Sequence, residues 1–139
     1  MRQFVLMITF ATALQLRADV VHAQVSPCLP RDDAAATFVR DELSNLVTAT
    51  DTEAVRVRNH VHLPAVAAHD VRIVSDAVTC ATAVRLLAAL TRHVAPRPAA
   101  WVIRVGPTRF VAFNGLGVHG SASAFVYDEH WTQLASFQF

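Results

Sequence analysis

The residues with the most obvious chemical potential are histidines. His60 and His62 form H-x-H, and His69-Asp70 follows a few residues on. On a strand, both imidazoles of H-x-H would face the same way and could share a metal ion through their ring nitrogens. On a helix, two residues apart, they diverge. Spacing alone supplies no third or fourth ligand, so no metal is assigned, and His60, His62 and His69 are only weak candidates. The plain alternative is a solvated polar face shared with Arg56 and Arg58.

A second set, His119, Ser121, Ser123 and Asp128, holds the residue types of a hydrolytic triad. Ser121 lies in G-S-A-S, without the strand–turn–helix elbow that presents a nucleophilic serine. Loop hydrogen bonding is the better reading. Asp128 and Glu129 are adjacent, which places them at a solvated turn and not as a paired acid and base. Gly115, Gly117 and Gly120 spell G-x-G-x-x-G, but the following S-A-S-A-F-V-Y is strand-like. A dinucleotide loop needs a helix N-terminus there, and an acidic residue about 20 positions on to hold the ribose. Nineteen residues remain after Gly120, too few for the crossover to a parallel strand. The glycines read as a hairpin loop, and no cofactor is implied.

Cys28 and Cys80 are the two cysteines of the chain. Met1-Arg2-Gln3, the apolar run Phe4–Leu16 and the small residues Val21 and Ala23 have the order of a secretory signal peptide, cleaved after residue 23. The body, residues 24–139, then suits one domain. An exported chain meets an oxidising compartment, so a Cys28–Cys80 disulfide is expected, tying the proline-flanked segment around Cys28 to a helix carrying Cys80. The alternative, Cys80 as a nucleophile activated early in a helix, has no C-x-x-C behind it. The chain is read as secreted or periplasmic.

The twelve basic residues are all arginine; losing Arg2 and Arg17 leaves ten. The eleven acids lose Asp19 and also become ten, so the body is formally neutral. No basic cluster shows in the sequence, which argues against nucleic acid as partner. No stretch after the leader reaches membrane-spanning length.

The elements that would position these groups follow from periodicity. Asp32 or Asp33 caps a helix at Asp33–Thr48, with Ala35, Phe38, Val39, Leu43, Leu46 and Val47 at helical spacing. Thr50-Asp51-Thr52-Glu53 has the form of a capping box, but Val55, Val57, Val61 and Leu63 alternate as in a strand. A short helix near Thr52–Arg58 and then an extended loop is the preferred reading. Val71–Val74 is a short strand or an extended entry to a helix from Ala77 to about His93, capped by Ser75 or Asp76, and Pro96-Arg97-Pro98 breaks the chain. Strands are expected at Trp101–Val105, Arg109–Phe113, Ser121–Tyr127 and Trp131–Phe139, joined by short turns and therefore antiparallel. The fold class is α+β: two main helices followed by a four-stranded antiparallel meander, the helices covering one sheet face. Trp101 and Trp131 read as cross-strand core partners.

V-S-D-x-x-x-C opening a helix, W-V-I-R-V-G-x-x-R-F-V, and F-V-Y-D-x-x-W-x-x-L-A-S-F together resemble small exported proteins of uncharacterised bacterial families, over Val71–Phe137. No activity attaches to that resemblance. The layout is also similar to that of cystatin-like folds, in architecture alone. The sequence therefore points to a non-catalytic exported domain that binds a protein or small ligand through an open sheet face, a strand edge or the His60–His69 loop. The alternative is a small hydrolase or metal-dependent enzyme using His60, His62, His69 or His119.

Overall fold

The computed structural model describes residues 28–31, 33–90, 99–114 and 123–138. The expected leader, Asp32, the Pro96–Pro98 break, the three glycines of G-x-G-x-x-G, His119 and Ser121 lie outside those residues.

Helix α1, Ala34–Thr48, starts where Asp33 accepts a hydrogen bond from the Ala35 N–H at 2.8 Å. Its buried residues Ala35, Val39, Leu43 and Val47 recur every fourth position, so one narrow stripe faces the core. Helix α2 is Thr52–His60, and its cap is Asp51, one residue beyond the expected Thr50. The Asp51 carboxylate accepts from Ala54 N–H at 3.0 Å. Glu53 accordingly does not complete a capping box; it pairs with Arg56 at 2.6 Å on the outer face. A 3-10 turn, Ala68–Asp70, leads into strand β1, Val71–Val74. Helix α3, Ala77–Leu90, follows, with Asp76 accepting from Thr79 N–H at 2.8 Å. Strands β2 (Trp101–Val105), β3 (Arg109–Phe113), β4 (Ser123–Asp128) and β5 (Gln133–Gln138) complete the chain.

The expectation of two main helices and a four-stranded meander is corrected here. Three α-helices accompany a five-stranded antiparallel sheet in the order β1-β2-β3-β4-β5. The fifth strand is β1, whose Val71, Arg72, Ile73 and Val74 oppose Val105, Arg104, Ile103 and Val102. Four residues are too few to show a period. What makes them a strand is a partner about thirty positions away, which local pattern does not reveal. The α+β class itself holds.

Helices also lie on both faces of the sheet, not one. Because strand side chains alternate, Trp101, Ile103, Val105, Val111, Phe113, Ala124 and Val126 pack on one face with α1. Ala100, Val102, Ala112 and Tyr127 pack on the other with Cys80, Ala83 and Leu87 of α3. Both clusters contain side chains with no exposed surface, such as Leu43 and Ile103 in the first and Val102 in the second. Each such aliphatic side chain contributes about 1.5–3 kcal/mol by burial.

The disulfide forms as expected, Cys28 to Cys80, with Cα atoms 5.2 Å apart across 52 positions of sequence. Cys28 also makes a parallel bridge to Ala100, and the Leu29 N–H donates to the Ala100 carbonyl at 3.0 Å. The front segment thus continues the line of β1 along β2, under α3. The Trp101 indole N–H donates to the Pro30 carbonyl at 3.2 Å and fixes it further. Among the described residues, no helix is long and apolar enough to cross a membrane.

Candidate functional site

The His60–His62 pair is resolved by the end of α2. Val61 is the C-cap; His62 follows in the left-handed region at φ 59°. The His62 N–H donates to the Asn59 carbonyl at 3.2 Å and the Leu63 N–H to the Arg58 carbonyl at 3.0 Å, the paired bonds of a Schellman motif. His60 stands in the last helical turn and His62 outside it. A helix terminus therefore separates the two imidazoles, and both residues are exposed. His69 lies in the 3-10 turn, its Nε2 3.6 Å from the Asp70 carboxylate and its side chain exposed. Among the described residues, no three of His, Cys, Asp and Glu gather as a metal-binding group.

Of the serine set, Ser123 and Asp128 stand at opposite ends of β4, about 17 Å apart along the strand. Asp128 serves the β4–β5 turn: its Oδ1 accepts from the His130 and Thr132 N–H groups, each at 2.9 Å. The Thr132 and His130 backbone bonds hold its carboxyl below the usual range, against a partial opposing effect of desolvation. Cys80 is fully buried and bonded to Cys28, which leaves no thiol for nucleophilic chemistry. Trp101 stacks on its cross-strand partner Phe113 at 5.1 Å, inside the core. Trp131, at φ 62° in the turn, stacks on Phe110 at 4.7 Å and lies 5.5 Å from the Tyr127 ring.

A concavity does exist where sequence reading placed a solvated face. The connection Ala49-Thr50-Asp51 turns the chain from α1 back into α2. Arg58, two turns into α2, then reaches the C-terminal end of α1. Its Nη1 donates to the carbonyls of Ala49 at 2.9 Å, Leu46 at 3.3 Å and Val47 at 3.5 Å. Those carbonyls are ones a helix cannot satisfy internally, and they carry the negative end of its dipole. Arg58 is consequently 8% exposed, the one buried charged residue among those described. No carboxylate of the described residues lies within ion-pair distance of it. Its Nε and Nη2 make no hydrogen bond to described residues.

Beside this guanidinium is an open cleft of about 640 Å³. Val47, Ala49 and Val55 form one apolar side, and Ala65, Val66 and Ala67 form the other; Thr48 and Thr50 stand at the lip. The far side is anchored to the sheet. Arg109 donates from Nε to the His62 carbonyl at 2.8 Å, and the Gly106 N–H donates to the Asp70 carbonyl at 3.0 Å. Gly106, at φ 64°, admits Val66 so closely that a Cβ there would sit 3.0 Å from Val66 Cγ1. The expected solvated position of Arg58 is therefore wrong. One signal could have found it: on a helix Arg58 shares a stripe with Ala54 and Val55, whereas Arg56 does not.

A smaller groove of about 360 Å³ brings Arg31, Arg40 and Arg72 together along β1. Each is already engaged: Arg31 on the Ile73 carbonyl at 3.2 Å, Arg40 with Asp41 at 3.2 Å, and Arg72 on the His69 carbonyl at 2.9 Å. Compared with known proteins, the chain matches no family model, no curated sequence and no solved structure.

Proposed function

We propose that the chain is a small exported binding domain whose ligand is a small molecule seated in the α1–α2 cleft. The observation that carries this reading is Arg58: a largely buried cation with no counter-ion among the described residues and two nitrogens, Nε and Nη2, that make no hydrogen bond to described residues, beside an open cleft of about 640 Å³. Nε and Nη2 reach solvent in the cleft, so a ligand seated there would replace water on two ready donors. Binding is assigned to the helical corner, where Arg58 and the cleft lie, and α3 packs over the β2–β3 part of the second sheet face. The reading of the histidines as hydrolytic or metal-dependent machinery draws no support from His60, His62 and His69, which serve a helix end and a turn.

Export rests on the leader-like residues 1–23, on the resemblance of Val71–Phe137 to small exported bacterial proteins, and on the Cys28–Cys80 bridge, which persists in oxidising compartments. Mass spectrometry of the native product checks it: a chain beginning at Gln24 with no alkylatable thiol is expected, and a retained Met1 refutes export. The site is tested by two-dimensional amide NMR of the bridged protein against a chemically mixed fragment library. Saturable shifts at Thr48, Ala49, Thr50 and Val66 are expected. Shifts confined to the sheet edges, or none, refute the cleft as the site.

A further inference from the structure

We propose that the cleft recognises a small monocarboxylate with an unbranched apolar tail; this rests on the reading of the cleft as the binding site. The charge argument comes from Arg58. Its Nη1 is committed to the carbonyls at the end of α1, so the edge left open is Nε with Nη2. That edge presents two parallel N–H donors, the spacing that matches the two oxygens of a carboxylate. An ammonium ligand would be repelled by the guanidinium, and a neutral one would forgo the charge-assisted pair of bonds.

The number of charges is also constrained. The C-terminal carbonyls of α1, with roughly half a negative charge from the helix dipole, stand against the same guanidinium. They already offset part of its charge. A single anion leaves roughly half a negative charge over, whereas a phosphate dianion leaves roughly one and a half facing the same carbonyls. Thr48 does not supply a compensating donor, because its hydroxyl donates to the Ser44 carbonyl at 2.7 Å.

The tail follows from the walls. Val47, Val55 and Val66 with Ala65 and Ala67 offer aliphatic surface only, with no aromatic ring to stack a sugar or base. The cleft is open at one side, so chain length beyond the valines gains little burial. A carboxylate head on Arg58 with about five carbons over the valines uses both features.

The probes are hexanoate, hexan-1-ol, hexylamine and hexyl phosphate, each titrated into the isotopically labelled, bridged protein. Hexanoate is expected to shift the Thr48, Ala49, Thr50 and Val66 amides saturably, with Kd about 1 mM. The alcohol, the amine and the phosphate monoester should each bind at least about tenfold more weakly. Arg58→Lys, which keeps the charge but removes the fork, should weaken hexanoate by about tenfold. Ala67→Trp fills the cleft from an exposed wall residue and leaves Arg58 unsubstituted; it should abolish the shifts and leave Tm unchanged. Because Arg58→Lys can weaken the fold, Ala67→Trp carries the test independently.

Alcohol or phosphate binding in the cleft as tightly as hexanoate overturns the monocarboxylate and leaves the cleft standing as a site. Failure of every probe and every library fragment to move those amides overturns both. Hexanoate shifts that survive Ala67→Trp place the ligand elsewhere and also overturn the proposal.

Discussion

Breaking the Cys28–Cys80 bridge is the most demanding test of how this small domain is held together. The bridge closes 52 positions of chain. Loop-closure entropy for that length corresponds to about 4 kcal/mol at 25 °C. The effect acts mainly on the unfolded ensemble, because the folded state already places both cysteines: Cys80 is buried beside Ala83, Leu87 and Ala100, and Cys28 is bridged to Ala100. Unfolding entropy near the melting point is about 2.1 cal/mol/K per residue, or roughly 0.23 kcal/mol/K for about 110 residues. Losing about 4 kcal/mol therefore lowers Tm by roughly 15 °C. The assay is a calorimetric melt with and without a phosphine reductant, together with the Cys28→Ala/Cys80→Ala double variant. Urea titration supplies a second readout, since a chain freed of its cross-link exposes more surface on unfolding and its m-value rises. A Tm change below about 3 °C in both experiments would refute the argument. A full Tm drop with an unchanged m-value would move the effect from the unfolded chain to native packing.

Three further predictions concern single residues. Tyr127 is 2% exposed and its hydroxyl has no hydrogen-bond partner among the described residues, so Tyr127→Phe should raise stability by about 1 kcal/mol in urea titration. Burial also raises its pKa above the ordinary value of 10.0: the folded chain keeps the proton that the unfolded chain releases, so stability falls as pH climbs past 10. It is the single tyrosine of the chain, and tyrosinate absorbance reports on it alone; titration at the ordinary value in the folded protein would refute its burial. His62→Gly should gain about 0.5–1 kcal/mol, because glycine adopts φ 59° without steric cost and the carbonyl that accepts from Arg109 is retained; a measured loss would mean that the imidazole itself has a role. Gly106→Ala should cost about 1–2 kcal/mol or more, since φ 64° is strained for alanine and its Cβ presses on Val66, and a neutral melt would contradict that contact.

The sequence by itself settled what depends on near neighbours along the chain. The four-residue recurrence from Ala35 to Val47 marks α1, and the caps Asp33 and Asp76, each one of two adjacent candidates in the sequence, start helices through hydrogen bonds that span two or three residues, while the α2 cap falls one residue beyond the expected Thr50. The Arg109–Phe113 strand and its turn at Gly106 were legible for the same reason. Two cysteines left one intramolecular pairing to form. Tertiary structure alone decided what needs distant partners. β1 exists because Val102–Val105 stands opposite it, and α3 lies on the second face because the Cys28–Cys80 bridge and the β1 connection carry it there. The cleft was hidden most completely. It depends on an arginine of α2 meeting the end of α1 and on Val66 meeting Gly106 across about forty residues. Local periodicity fixes which side of a helix is apolar; it does not say which other element that side will meet.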